Sequence, residues 1–477
     1  MASIDFVIGG GLFMRVLLVD LPARDGFVSK DTVVGGYGSR LLPFSRVTRI
    51  IGELKRRFLD VPSVQLAHIA AILARYGHEV IWSRGEIANV DVAIVLSSLV
   101  DHRHEAAWAD RLRRATGAHV GFVGLAASKL PELFRGAADF VVIGEPESAV
   151  ERLARGEVLT GDSVSAPAPD LDALPFARWD ALEERGRHHV PFSPRPYGGG
   201  IPLLASRGCP EFCTYCPHRI LAGHRVRSVS NIVDELETIR DRFRNPYVIF
   251  RDPLFTADRE RALMLADEIL ARGLQLRFEC ETRLDRLDPD LLDALHRAGL
   301  RAMSFGVESV SSEILRRVGR RPTPEPHQRA ILDHCRRRGI ATAAFYVLGF
   351  LQDDWASIAA TIDYSIALDS SVAQFKLLTP YPATPLWKQL APRVYETDWE
   401  KFDGFTPTFE HPHLSPRELR FLLGAAYTRF YMRPSLVAHW TRVTARPVRS
   451  MVRWADGRIA RRHARKERAS MSRTVTC

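Results

Sequence analysis

Cysteine is scarce in this sequence: there are 6 in 477 residues, and three fall within eight positions. A secreted disulfide scaffold would use more and spread them evenly, so the usage predicts a reducing, cytoplasmic setting. No apolar run is long enough to span a bilayer. Residues Met1 to Phe13 lack the basic flank and small-residue cleavage site of a signal peptide. Met14 directly precedes the strand-like Arg-Val-Leu-Leu-Val-Asp, so residues 1–13 read equally as an upstream extension or a short ordered lead-in. Net charge is also missing over most of the chain. The formal net charge is +10, and residues 433–477, with eleven Arg and one Lys against Asp456 and Glu467, account for all of it. A neutral body excludes nucleic acid as an expected partner and leaves one basic tail to explain. Beyond a strand–helix rhythm there is no internal repeat.

That rhythm predicts an α/β protein. Residues 14–155 alternate short apolar strands (Arg15–Asp20, Val80–Trp82, Val90–Ser97, Val120–Val123, Phe140–Ile143) with helical patterns over Val64–Tyr76 and His104–Thr116. This is the pattern of a doubly wound, Rossmann-like sheet. Residues 156–196 are rich in Pro, Asp and Ala and read as a linker. Over 197–392 six strands recur with helices between them, which suits a partial (β/α)6, TIM-like barrel with its chemistry at the C-terminal strand ends. Residues 393–477 read as a helical region, amphipathic over Pro416–Met432, that ends in the basic tail.

After the first barrel strand comes Ser206-Arg-Gly-Cys-Pro-Glu-Phe-Cys-Thr-Tyr-Cys-Pro-His218, a Cys-x3-Cys-x2-Cys spacing. Three thiolates this close can converge on one soft metal centre. With His218 as a fourth ligand they could close a structural zinc site. Alternatively, three Cys can hold three irons of a cubane and leave the fourth iron open.

The spacing, with aromatic Tyr215 before the last Cys, resembles the signature of the radical S-adenosylmethionine (SAM) superfamily. The resemblance implies a 4Fe–4S cluster on Cys209, Cys213 and Cys216. It also implies SAM on the open iron, cleaved by one electron to a 5′-deoxyadenosyl radical that abstracts hydrogen from the substrate. Other segments are similar to the same family. Phe250-Arg-Asp-Pro-Leu-Phe255 implies Asp252 as a SAM-side residue, with strand-end solvation as its plain alternative. Phe305-Gly-Val-Glu-Ser309 implies Glu308, against helix capping by Glu308 and Ser309. Tyr346-Val-Leu-Gly-Phe350 implies Gly349 beside adenine, although the usual Pro-Gly-Glu is Leu351-Gln352-Asp353 here. Arg283 falls where relatives face the site, against a surface salt bridge. Pro380-Tyr-Pro-Ala-Thr-Pro385 also looks like a family segment.

A doubly wound domain in front resembles the cobalamin-binding subclass of that superfamily. So do Pro62–Val80 and Phe140-Val-Val-Ile-Gly-Glu-Pro-Glu147. The implied corrin-lining positions are Ser97, Ser98, Leu99, Val100, Gly124, Leu125 and Gly144. The Asp-x-His-x-x-Gly motif that supplies a cobalt ligand elsewhere is absent, and the loop 21–30 holds no His, which argues against His-on cobalt. The Gly-Gly-Pro segment is replaced by Gly124-Leu-Ala. His102 and His104 read as helix-start residues.

The resemblance implies methyl transfer to an unactivated carbon, with cyclisation, oxidation or C–C bond formation as alternatives. A sensor gated by cobalamin or a cluster is the non-enzymatic reading. tRNA methylthiolation ranks low because the front domain lacks the extra cysteines. The expected partners are a reductant such as flavodoxin or ferredoxin and a small-molecule or lipid substrate. Trp440 and Trp454 among the tail arginines suggest peripheral contact with the inner membrane face, against a solvated tail. Cys280 and Cys335 read as ordinary buried thiols.

Overall fold

A computed structural model describes residues 13–30, 36–58, 61–168, 170–179, 200–220, 222–243 and 246–434. Residues 1–427 form one unit and Thr428 onward a second; of the second only residues 428–434 are described. The tail and Cys477 therefore lie outside the described residues.

The front half carries strands β1 (Arg15–Val19), β2 (Phe27–Ser29), β3 (Ser39–Leu41), β4 (Glu79–Ser83), β5 (Val92–Leu96), β6 (His119–Val123), β7 (Phe140–Ile143) and β8 (Gly161–Val164). Its helices are α1 (Arg46–Phe58), α2 (Val64–Arg75), α3 (His102–Thr116), α4 (Leu125–Lys129) and α5 (Glu147–Ala154). Six of the strands form a parallel sheet in the order β4-β1-β5-β6-β7-β8. β1 and β5 are buried almost throughout, as both faces of a parallel sheet covered by helices should be. The strand order reverses between β1 and β5, so the crevice for a ligand falls at their C-terminal ends.

Two features depart from the sequence reading. The stretch 156–196 is not wholly linker, because Gly161–Val164 adds a sixth strand beside β7. The loop after β1 folds into the β2–β3 hairpin, followed by α1.

The second half begins with β9 (Gly200–Leu203) and a two-residue pairing of β10 (Ser206–Arg207) with β11 (Arg225–Val226). Then alternate α6 (Val229–Arg242), β12 (Tyr247–Phe250), α7 (Arg259–Ala271), β13 (Arg277–Thr282), α8 (Pro289–Ala298), β14 (Leu300–Glu308), α9 (Ser312–Arg317), α10 (Glu325–Arg338), β15 (Ala341–Leu348), α11 (Trp355–Leu368) and β16 (Val372–Leu377). The strands β9, β12, β13, β14, β15 and β16 lie parallel in sequence order, which is the expected six-strand partial barrel. Beyond it come α12 (Pro385–Leu390) and α13 (Pro416–Tyr431). Between those two helices the chain is mostly irregular, with two 3-10 turns, so the expected helical region begins only at Pro416.

Candidate active site

The cysteine loop leaves the C-terminal end of β9 and is fixed at four points. At its root, Asp252, one per cent exposed, accepts the Ala205 N–H at 3.0 Å and the Ser206 hydroxyl. Burial raises the pKa of this carboxyl, and the two donors only partly offset that. Asp252 therefore anchors the loop root rather than lying open to solvent or ligand. Next, the Arg207 guanidinium reaches back to the front domain, at 2.8 Å from Glu145 and 2.6 Å from Glu147, with Arg225 also on Glu145. All three side chains of the Arg207 pairs are at most 3% exposed. The Gly-Glu-x-Glu turn before α5 is thus the grip of one domain on the cluster loop of the other.

Within the loop, Glu211 is held by Arg283 at 3.1 Å and Arg286 at 2.6 Å. Arg283 is buried, so it is not a surface salt bridge; it ties the cysteine loop to the end of β13. Finally, the Thr214 N–H donates to Val318 O and the Thr214 carbonyl accepts from Leu386 N, at 2.9 and 3.0 Å. Gly319, at φ +75, lies so close under the loop that a Cβ there would stand 2.1 Å from the Phe212 carbonyl oxygen.

Tyr215 packs edge-on to Phe350 at 5.8 Å, in a cluster with Ile314, Leu378, Leu386 and Phe409. Its hydroxyl meets Glu308. Glu308 ends β14 at φ +65, a conformation disfavoured for any residue with a Cβ. Its carboxylate folds back over Gly306, where a Cβ would stand 1.9 Å from Oε1, and it pairs with Arg320 at 3.6 Å. Gly-Val-Glu is therefore a unit: the glycine makes room for the strained glutamate. Burial raises the Glu308 pKa and Arg320 opposes it.

Gly349, at φ +83, and Phe350 donate their N–H groups to Asp353 at 3.0 and 2.9 Å. Asp353 closes this turn although the Pro-Gly-Glu wording is missing. Sequence reasoning did not single out Arg207, Glu145, Glu147 or Arg320. The motif letters around the first three were visible, but pairing across 60 residues was not. Arg320 sits in a Gly-Arg-Arg run that carries no periodic signal.

The residues present fit a cubane cluster. Burial raises all three thiol pKa values, that of Cys216 to about 12, and a cation that takes the protons' place would offset that cost. A cubane asks for one thiolate per iron. Cys280 and Cys335 are free, buried thiols as expected.

The corrin fit is topological. Ser97, Ser98, Leu99, Val100, Gly124, Leu125 and Gly144 all stand at C-terminal strand ends of the front sheet. However, Ser97, Ser98, Leu99 and Val100 are fully buried. Ser98 donates to Glu105 at 2.7 Å, Ser97 accepts from Ala127 N at 3.0 Å, and Gly144 N donates to Ser128. The hairpin lies over them: Leu99 N donates to Tyr37 O at 2.8 Å, and Arg40 pairs with Asp101 at 2.6 Å. At the switch point remains a cavity of about 100 Å³ lined by Arg24, Arg40, Asp101, Arg103, His104 and Glu400, large enough for water but not for a corrin. His102 and His104 bind Leu99 O and Asp101 at their own helix start.

A six-strand parallel barrel with a triple-cysteine loop after its first strand defines a radical SAM domain. The sequence profile of the Radical SAM superfamily matches residues 203–364, so that stretch of the chain carries a radical SAM domain. It is 28% identical over 296 residues to an uncharacterized methyltransferase of Pyrococcus horikoshii, covering 60% of this chain and 61% of that one. It is 26% identical to the bacteriochlorophyllide d C-12(1)-methyltransferase of Chlorobaculum tepidum, covering 70% and 73%. It is 26% identical to an anaerobic magnesium-protoporphyrin IX monomethyl ester cyclase of Rubrivivax gelatinosus, covering 57% and 49%. The chain thus spans about three-fifths of the Pyrococcus relative and half of the cyclase. Its fold matches the radical SAM methyltransferase TsrM of Kitasatospora setae, solved with cobalamin and a [4Fe-4S] cluster, at TM-score 0.60 and 17% identity over 89% of this chain and 90% of that one.

Proposed function

We propose that the protein is a cobalamin-dependent radical SAM enzyme that transfers a methyl group to an unactivated carbon of a lipid or secondary metabolite. The carrying observation is the cysteine loop, fixed at four points at the open end of a barrel, in a chain that shares its fold with TsrM almost end to end. Cys209, Cys213 and Cys216 would hold a 4Fe–4S cluster that supplies one electron to SAM. The chain's own contribution is positional. Asp252, Arg207, Arg283 and Gly319 keep the loop in place. Glu308, Tyr215 and Arg320 present a polar group beside it, and the turn at Gly349 closes the wall. Cobalamin is supported by the switch-point topology and by the TsrM likeness.

The test is anaerobic reconstitution with iron, sulfide and hydroxocobalamin, followed by SAM and dithionite. 5′-Deoxyadenosine together with S-adenosylhomocysteine is the expected product pair, since a methyl donor leaves the homocysteine form behind. 5′-Deoxyadenosine alone points to cyclisation or oxidation, and neither product would sink the enzyme reading. A flavodoxin or ferredoxin should replace dithionite. No described helix is long and apolar enough to cross a membrane. If the arginine–tryptophan tail docks on the inner membrane face, deleting residues 434–477 abolishes binding to anionic liposomes.

A further inference from the structure

Lys376 is the penultimate residue of β16, opposite Val347 of β15. It alternates with buried Phe375 and Leu377, so it shares the concave side of the sheet with Gln374 while Phe375 stacks on Tyr346 behind. Its stem crosses Gly404, where a Cβ would stand 3.1 Å from Lys376 Cδ, and Leu377 N binds Gly404 O at 2.8 Å. The stem is therefore placed, but the ammonium is unpaired. Three acids lie near it and each is engaged elsewhere. Glu281 pairs with Arg251 at 2.8 Å and Glu308 with Arg320 at 3.6 Å. Asp403 accepts Phe405 N, Thr406 N and the Thr406 hydroxyl at 2.7–2.9 Å. Among the described residues no acid comes within ion-pairing reach of Lys376 Nζ. Burial lowers its pKa despite those neighbours.

A second lysine arrives from the front domain. Lys55 of α1 stands with its ammonium 5.6 Å from the Phe27 ring centroid and likewise has no acid partner among the described residues. Burial, and then the charge of Lys376, pull its pKa down to about 8. The chain leading into α1 meets the wall that carries Lys376: Phe44 packs 6.4 Å from Phe405 and 5.9 Å from Tyr427, whose hydroxyl donates to the Phe375 carbonyl at 3.1 Å. Two ammonium groups brought to one partly dry wall repel unless an anion sits between them. The sequence offered one signal for this: a lysine in mid-strand, in Gln374-Phe-Lys-Leu.

We propose that Lys376 and Lys55 form a two-domain clamp for a carboxylate or phosphate group of the substrate at the barrel mouth. That the anion belongs to the substrate rests on the function proposed above; anion binding itself does not. The rival source is the carboxylate of SAM.

The test is calorimetric titration of the reconstituted full chain with inorganic phosphate and with succinate, at ionic strength held constant with KCl. Saturable binding of at least one anion is expected. Lys376→Met should weaken it at least about tenfold and Lys55→Met by a smaller factor, with Lys376→Arg close to the parent. Circular dichroism of each variant reports on folding. Absence of saturable binding, or equal binding by parent and both Met variants, overturns the clamp. A Lys376→Met loss of SAM affinity equal to its loss of phosphate affinity assigns the anion to SAM and overturns the substrate reading. Failure to form 5′-deoxyadenosine while the lysine-dependent titration holds tells against the enzyme function alone.

Discussion

Glu147 carries its charge inside the protein because Arg207 is 2.6 Å away. Burial pushes its pKa up, and the guanidinium more than reverses this, leaving it below the usual carboxylate range. Removing one member of a buried pair leaves the other desolvated and unmatched. Glu147→Gln should therefore cost about 3 kcal/mol in urea unfolding and reduce iron retention after reconstitution. Arg135→Gln, which breaks an exposed pair with Asp162, should leave the midpoint unchanged. Equal effects from the two would remove the special standing of the Arg207 grip. His68 lies under the same group and near Glu235 and Arg227. Burial, then Arg207, lower its pKa from 6.5 to about 4. The unfolded chain thus binds a proton between those values that the folded chain refuses, so stability falls as pH drops through that window, by up to about 3 kcal/mol. His68→Gln should flatten this part of the stability–pH curve; an unchanged slope would contradict the assignment.

At the scale of elements, the cysteine loop depends on what lies beneath it. A Cβ on Gly319 would strike the Phe212 carbonyl, whereas one on Gly117, also at positive φ (+72), would meet nothing within 4 Å. Gly319→Ala should lose more than half of the bound iron with its circular dichroism intact, while Gly117→Ala costs roughly 1 kcal/mol in strain and keeps its iron. Equal iron content would release the loop from this support. Elements with explicit end signals were legible in the sequence. Asp258, Gly339 and Asp354 mark ends of the helices Arg259–Ala271, Glu325–Arg338 and Trp355–Leu368. β8 was not legible, since Gly-Asp-Ser-Val reads as a turn and becomes a strand only by pairing with β7. The cysteine triad declared itself by spacing. Its supports did not, because Arg207–Glu147 and Arg283–Glu211 pair residues 60 and 72 apart.

At the scale of the molecule, the hairpin β2–β3 decides whether the front domain can accept a corrin. It covers the C-terminal ends of β5 and also reaches the barrel: Tyr37 stacks on Tyr381 at 5.5 Å and donates to Pro382 O at 2.7 Å. The switch point that would receive cobalamin is thus filled by a segment belonging to neither sheet. The two strands of the hairpin pair over three residues each and lie outside both parallel sheets, so it can move without opening either. Protein incubated with hydroxocobalamin should retain a corrin spectrum after gel filtration. In hydrogen exchange, the amides of 27–29 and 39–41 should then lose protection while those of β13–β15 keep theirs. Corrin retention with unchanged hairpin protection would mean that cobalamin seats away from the β1–β5 switch point. No retention at all would leave the front domain as a doubly wound scaffold whose role is to grip Arg207 and deliver Lys55.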